Sequence, residues 1–275
     1  MNKAFILANL LVFTLLACKQ DPKISQGVPV HMQPGEQANP TVLAGHWIAM
    51  NFCAFANQYG SVLGAMNNGH LPYAYAFTFN PAKPDSVLCY NAFESWTLPI
   101  RYNVDTLELM GARPGKSIYL IYDSKGDKEI TMIDPTEGRV QLDRFIKSKA
   151  GTVDGYTAFT TALNHNLLNG AFKLLGKGAG GQISFTPGGF LLGLKGYDRY
   201  EICTGGDCFL AGQDIDVITL FDSKDEANTS KFFGYRYNEN NDTLTFYNLV
   251  NKNPEEKGLY KVAAPAFKFS RKKQM

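Results

Sequence analysis

Large and small side chains alternate at positions 73–79. Tyr73, Tyr75, Phe77 and Phe79 fall on one parity, and Ala74, Ala76 and Thr78 on the other. A repeat of two is the pleat of a β-strand, not the turn of a helix. The same reading predicts first-half strands at 46–53, 86–91, 96–103, 106–110, 117–122, 129–133 and 139–146. In the second half it predicts 171–175, 182–186, 189–194, 199–203, 216–221, 232–238, 243–248, 259–263 and 266–270. Turn sequences separate them, among them 123–127, Pro187-Gly188-Gly189 and 238–242. Short strands joined by tight turns predict a mainly β fold, an antiparallel barrel or sandwich. Closure removes exposed strand edges, which otherwise recruit other chains.

Two segments carry a helical period instead. Residues 57–68 predict a short helix. Residues 154–168 predict a longer one, with Tyr156, Phe159, Leu163 and Leu167 at helical spacing. The second helix lies between two similar halves. Gly45-His46-Trp47 is answered by Gly170-Ala171-Phe172, each with a leucine two residues before the glycine. Val140-x-Leu142-x-Arg144 is answered by Phe267-x-Phe269-x-Arg271. Arg101-Tyr102-Asn103 is answered by Arg236-Tyr237-Asn238. Three markers in one order at near-equal spacing predict a duplication. One larger barrel built from all the strands is the other arrangement the pattern admits.

The first 40 residues follow different rules. After Met-Asn-Lys, an apolar run covers residues 4–17, broken by Asn9 and Thr14. It is too short for a bilayer core of about 30 Å and has the form of a secretory signal. Leu15-Leu16-Ala17-Cys18 resembles the lipobox of bacterial lipoproteins. That resemblance implies acyl chains of the palmitate type on Cys18. It also implies a cell-envelope location, with Lys19 after the cysteine favouring the outer membrane. An unlipidated secreted protein is the other expectation. Residues 18–40 hold four prolines and read as a tether. The expected order is a signal at 1–17, a tether at 18–40, a first barrel at 41–150, a linker helix at 151–168 and a second barrel at 169–275.

The paired Gly-x-aromatic and terminal Arg resemble the lipocalin and calycin pattern. The resemblance implies tandem eight-stranded barrels, each closed by an arginine stacked on the first strand's aromatic ring. Val140, Leu142 and Arg144 share one strand face, so Arg144 is expected over Trp47. Arg271 is expected over Phe172, in a weaker stack. Gly45 and Gly170 complete the expected closure set.

Composition agrees with an exported, folded chain. Apolar residues make up 45% and charged residues 19% of 275, which excludes a disordered chain. A net charge of +2 gives no reason to expect nucleic acid as a partner. Beyond Cys18 four cysteines remain. Cys203 and Cys208 flank a turn and are expected to pair. Cys53 and Cys89 either form a second disulfide or stay as buried thiols.

Catalytic and metal patterns are weak. His31, His46, His70 and His165 have no metal-like spacing, and His46 is expected to face outward. Residues 176–181 are glycine-rich but lead into a strand, unlike a phosphate loop. Asn238, Asn240 and Asp242 lack the glycine and glutamate of a calcium loop and read as a hairpin turn. Asp214 and Asp216 are expected to be solvated. No cofactor is implied.

The leading expectation is therefore a non-catalytic envelope protein. It would bind a small apolar ligand or an envelope partner, with Tyr73, Tyr75, Phe77, Phe79, Phe185 and Phe190 lining the barrels. The competing expectations are a packed scaffold with no ligand cavity and, further off, an envelope hydrolase.

Overall fold

A computed structural model describes residues 38–104, 106–123, 128–135, 141–149, 151, 153–176, 181–205, 215–224, 230–238, 240, 242–251, 255 and 260–272. The expected signal peptide, Cys18, most of the tether, Cys208 and Asp214 lie outside these residues. The chain divides into two units, 1–33 and 34–275, and both barrels belong to the second.

The first half opens with helix α1 (Pro40–Leu43), capped by the Asn39 side chain, which accepts from the Thr41 and Val42 N–H groups. Strand β1 (Gly45–Ala49) follows, then α2 (Met50–Tyr59) and α3 (Val62–Asn67). The strand expected at 46–53 is thus cut at Ala49, and the helix expected at 57–68 is two helices. Gly60, at φ +60°, ends α2, and the Ser61 hydroxyl caps α3 through the Gly64 N–H. Strands β2 (Ala76–Phe79), β3 (Ser86–Tyr90), β4 (Ser95–Asn103), β5 (Thr106–Arg113), β6 (Lys116–Asp123), β7 (Glu129–Asp134) and β8 (Gln141–Lys147) complete an antiparallel meander. Pairing of β8 with β1 closes it into a barrel.

Helix α4 (Gly155–Leu167) joins the halves, its N-terminus capped by Asp154 through the Thr157 N–H. It packs on α2 and on β1, β2 and β3 of the first barrel. Phe159 is stacked on Tyr75 with centroids 4.4 Å apart and lies 6.0 Å from Phe52. Gly155 is required here, because a Cβ would sit 2.7 Å from the Tyr90 ring.

The second half repeats the meander: β9 (Gly170–Leu174), β10 (Gln182–Phe185), β11 (Leu191–Leu192), β12 (Arg199–Ile202), β13 (Asp216–Phe221), β14 (Ser230–Tyr237), β15 (Thr243–Asn251) and β16 (Tyr260–Arg271). The two strands expected at 259–270 are one strand, β16, whose pairing with β15 shifts register near Pro265. β9 pairs with β16, as β1 pairs with β8. The two edges, β11 and β12, meet at a single bridge between Phe190 and Arg199. Hydrogen bonds from the Leu191 N–H to the Asp198 carbonyl and from the Tyr200 N–H to the Gly189 carbonyl, each 2.8 Å, add to this seam. The protein is mainly β, with two eight-stranded antiparallel barrel-like sheets.

Candidate functional site

Both barrel interiors are occupied by side chains. In the first, Trp47, Phe77, Leu107, Leu120, Met132 and Phe145 are almost wholly removed from solvent. In the second, Phe172, Phe185, Phe246 and Phe269 form an edge-to-face cluster, with Phe233 stacked against Phe246. Phe185 lies 5.3 Å from Phe172 and 5.9 Å from Phe269, and Phe246 lies 5.0 Å from Phe269. Of the expected ligand-lining residues, Phe77, Phe79 and Phe185 are buried core. Tyr75 packs on α4 and donates to the Thr204 carbonyl at 2.6 Å. Tyr73 is half-buried, accepts from Trp96 Nε1 and lies under the Arg113 guanidinium, 4.9 Å from its ring. Arg113 in turn pairs with buried Asp134 at 2.7 Å. Phe190 is 54% exposed and lines no interior, because it lies at the seam where β11 has shortened to two residues.

The closure of the first barrel differs from the expected one. Arg144 does not reach Trp47. Its side chain is half exposed and is paired with Glu129, while Asp143 and Phe145 are the buried neighbours. The phase is fixed by β1, whose Ala49 opposes Phe145 and whose Trp47 opposes Lys147. Partners directly across a ladder share a face, so the cation on the Trp47 side is Lys147, not Arg144. Lys147 Nζ lies 5.9 Å from the Trp47 ring and donates to the Val42 carbonyl. Its stem passes within 3.2 Å of where a Cβ on Gly45 would stand, and Gly45 has φ +113°. Trp47 Nε1 donates to the Leu43 carbonyl at 2.7 Å. In the second barrel Phe172 opposes Arg271, whose guanidinium lies 5.2 Å from the Phe172 ring and 5.5 Å from the Tyr237 ring. Arg271 donates to the Leu167 carbonyl at 3.0 Å and to the Tyr237 hydroxyl at 2.9 Å. Burial pushes the Tyr237 phenol up to about 12, with Arg271 pulling the other way.

The two barrels touch through polar contacts as well as apolar ones. Asp216, expected to be solvated, is buried against α3. It accepts from the Ser61 hydroxyl at 2.5 Å and from the Leu63 N–H at 2.9 Å. Burial raises its carboxyl above the ordinary value, against those hydrogen bonds. The correction is tertiary in origin, since Ser61 lies 155 residues away in sequence.

Cys53 on α2 and Cys89 on β3 are separate buried thiols, so the second expected disulfide is absent. Each belongs to its own packed element, with Cys89 opposing Phe77 and Trp96. Burial pushes both thiols up to about 12, which removes their nucleophilic form at neutral pH. Cys203 is buried after β12, and Cys208 lies outside the described residues. His46 shares a hydrogen bond with Thr78, His70 is stacked on Phe55, and His165 contacts Asn169. Asn238 accepts from the Asp242 and Thr243 N–H groups, a hairpin turn as expected. Among the described residues, no three His, Cys, Asp or Glu side chains group as metal ligands, and no helix is long and apolar enough to cross a membrane.

A hollow opens beside α4. A cleft of about 470 Å³ runs between α4 and the β12 side of the seam. Thr157, Thr160, Thr161 and Asn164 of α4 form one wall. Arg199, Glu201, Phe221 and Ser223 form the other, and the 187–189 turn closes an end. Asn164 Nδ2 donates to the Pro187 carbonyl at 3.0 Å and ties that turn to the helix. Gly189 has φ +81°, and a Cβ there would meet the Tyr200 carbonyl oxygen at 3.0 Å. Of these residues the sequence marked only Pro187-Gly188-Gly189, and as a turn. The available signal was three threonines at i, i+3 and i+4, which share a helix face. A smaller hollow of about 340 Å³, mostly apolar, lies over Leu71, Tyr73, Phe93 and Thr204. Comparison with known protein families, curated proteins and solved structures finds no match.

Proposed function

We propose that this protein is a non-catalytic binding module of the bacterial cell envelope, built from tandem lipocalin-like barrels. A lipid on Cys18 holds it to the outer membrane, and it takes its ligand outside the barrels. The observation that carries this reading is the contrast between two filled interiors and the open cleft of about 470 Å³ between α4 and β12. Two further observations support the non-catalytic part. The buried thiols are held protonated, and the described histidines are engaged in local contacts.

Native mass spectrometry of the full chain, purified after exposure to envelope extract, tests the reading. A reproducible small-molecule adduct is expected, and Thr160→Phe, which fills the cleft, is expected to abolish it. An adduct that survives Thr160→Phe overturns the choice of site. The filled interiors also favour a second reading, a scaffold whose cleft grips an envelope protein. In that case the adduct abolished by Thr160→Phe is a protein. The anchor is tested separately: Cys18→Ser should move the protein from the membrane fraction to the soluble one, and its retention overturns the lipid assignment.

A further inference from the structure

Resting on that reading of the cleft, we infer that its ligand is a saccharide: a neutral mono- or disaccharide unit held between the threonine face of α4 and the outer face of β12. Several polar atoms of the cleft are already committed. The Thr157 hydroxyl donates to Asp154, and the Thr160 hydroxyl donates to the Thr157 carbonyl. The Ser223 hydroxyl donates to Asp198, and the Asn164 amide donates to Pro187. Each of the three hydroxyls has spent its proton and keeps an acceptor oxygen, and Asn164 keeps Oδ1 together with its second N–H. Glu201 adds a carboxylate. The cleft therefore sets these acceptors beside the donors of Arg199 and Asn164, and calls for a ligand whose several O–H groups both donate and accept.

Charge and shape narrow the class. Arg199 and Glu201 are two residues apart on one strand, so both project from the same face of β12. Their charges offset, and the cleft favours neither a net anion nor a net cation. An acyl chain would bury these acceptors without partners. The Phe221 ring and Pro187 supply an apolar surface beside the acceptors. A pyranose has this same division, with hydroxyls around the rim and C–H bonds on the face. The ring belongs equally to a free disaccharide and to one unit of a longer glycan.

The test uses the full chain in a polyoxyethylene detergent, because a glycoside detergent would compete. Maltose, cellobiose and N,N′-diacetylchitobiose are screened by saturation-transfer difference NMR, and binders are titrated by calorimetry. At least one disaccharide should bind at about 10 mM or below. Glu201→Gln is expected to weaken it at least fivefold and Thr161→Val at least threefold, with unchanged melting temperatures. Hexamers of the same sugars separate the two sources: a tenfold gain over the dimer assigns the site to a glycan chain, and equal affinity to a free sugar. No binding by any of these sugars, or binding unmoved by both substitutions, overturns the inference. If the sugars fail while Thr160→Phe still removes an adduct from envelope extract, the saccharide assignment falls alone. If Thr160→Phe leaves that adduct in place, the cleft itself is the error.

Discussion

The two barrels lock the same joint with different chemistry. In each, a glycine at positive φ precedes an aromatic on the first strand, and a cation on the last strand crosses its ring. The first barrel uses Trp47 with Lys147, and the second Phe172 with Arg271. The larger ring goes with the smaller cation head, and the smaller ring with the larger one. The hydrogen bonds differ too. Trp47 supplies its own N–H to the Leu43 carbonyl, while the exposed Lys147 donates to the Val42 carbonyl at 3.3 Å. Phe172 has no such donor, and Arg271 donates both to the Leu167 carbonyl, which stands where Val42 stands before the glycine, and to the Tyr237 hydroxyl. In both joints the cation holds the carbonyl three residues before the glycine; the first adds a bond from the aromatic, and the second a bond from the cation to Tyr237.

Substitutions at the joint should follow that division. Trp47→Ala removes both ring and donor from a packed core and should cost about 3–5 kcal/mol in chemical denaturation. A loss below about 1 kcal/mol would break the comparison. Arg271→Ala should cost about 2–3 kcal/mol, because two hydrogen bonds to a charged group and a ring contact are lost together. Lys147→Ala should cost about 0.5–1 kcal/mol. Arg144→Ala, at a half-exposed pair with Glu129, should cost less than about 0.5 kcal/mol. Equal costs at Lys147 and Arg271 would show that the two joints are alike after all.

Asp216 tests whether the halves respond as one body. Its carboxyl is raised by burial, with Ser61, Leu63 and Tyr235 as its neighbours. A raised folded value means the proton is held more tightly in the native state. Its contribution is then fully present below the unfolded value and is lost as pH rises through the folded one. Relative to Asp216→Asn, the wild-type protein should lose stability as pH climbs from about 4 toward neutrality. Parallel pH profiles for the two proteins would remove Asp216 from any such role.

Strand existence was readable because alternation and turn residues agreed along most of both halves. Phase was not readable in β8. Arg144 on one parity and Asp143 and Lys147 on the other give both faces charge, and only the register with β1 decides which face is inward. The start of α2 carried no signal, because Ala49 in the N-cap position makes no side-chain hydrogen bond. Its end did carry one, in Gly60 followed by Ser61. The cleft escaped the sequence reading because its walls come from α4 and β12, which meet only in three dimensions.

Helix α4 has an uncommon position in the history of each folding event. It is seated on the first barrel, through Phe159 against Phe52 and Tyr75. Its last residue, Leu167, presents the carbonyl on which Tyr237 and Arg271 of the second barrel converge. Synthesis and export both run from the N-terminus, so the first barrel and the helix precede Arg271 by about a hundred residues. The second barrel thus closes onto a template the first has already set. A circular permutant that began at residue 169 would meet its own last latch before the carbonyl that receives it existed.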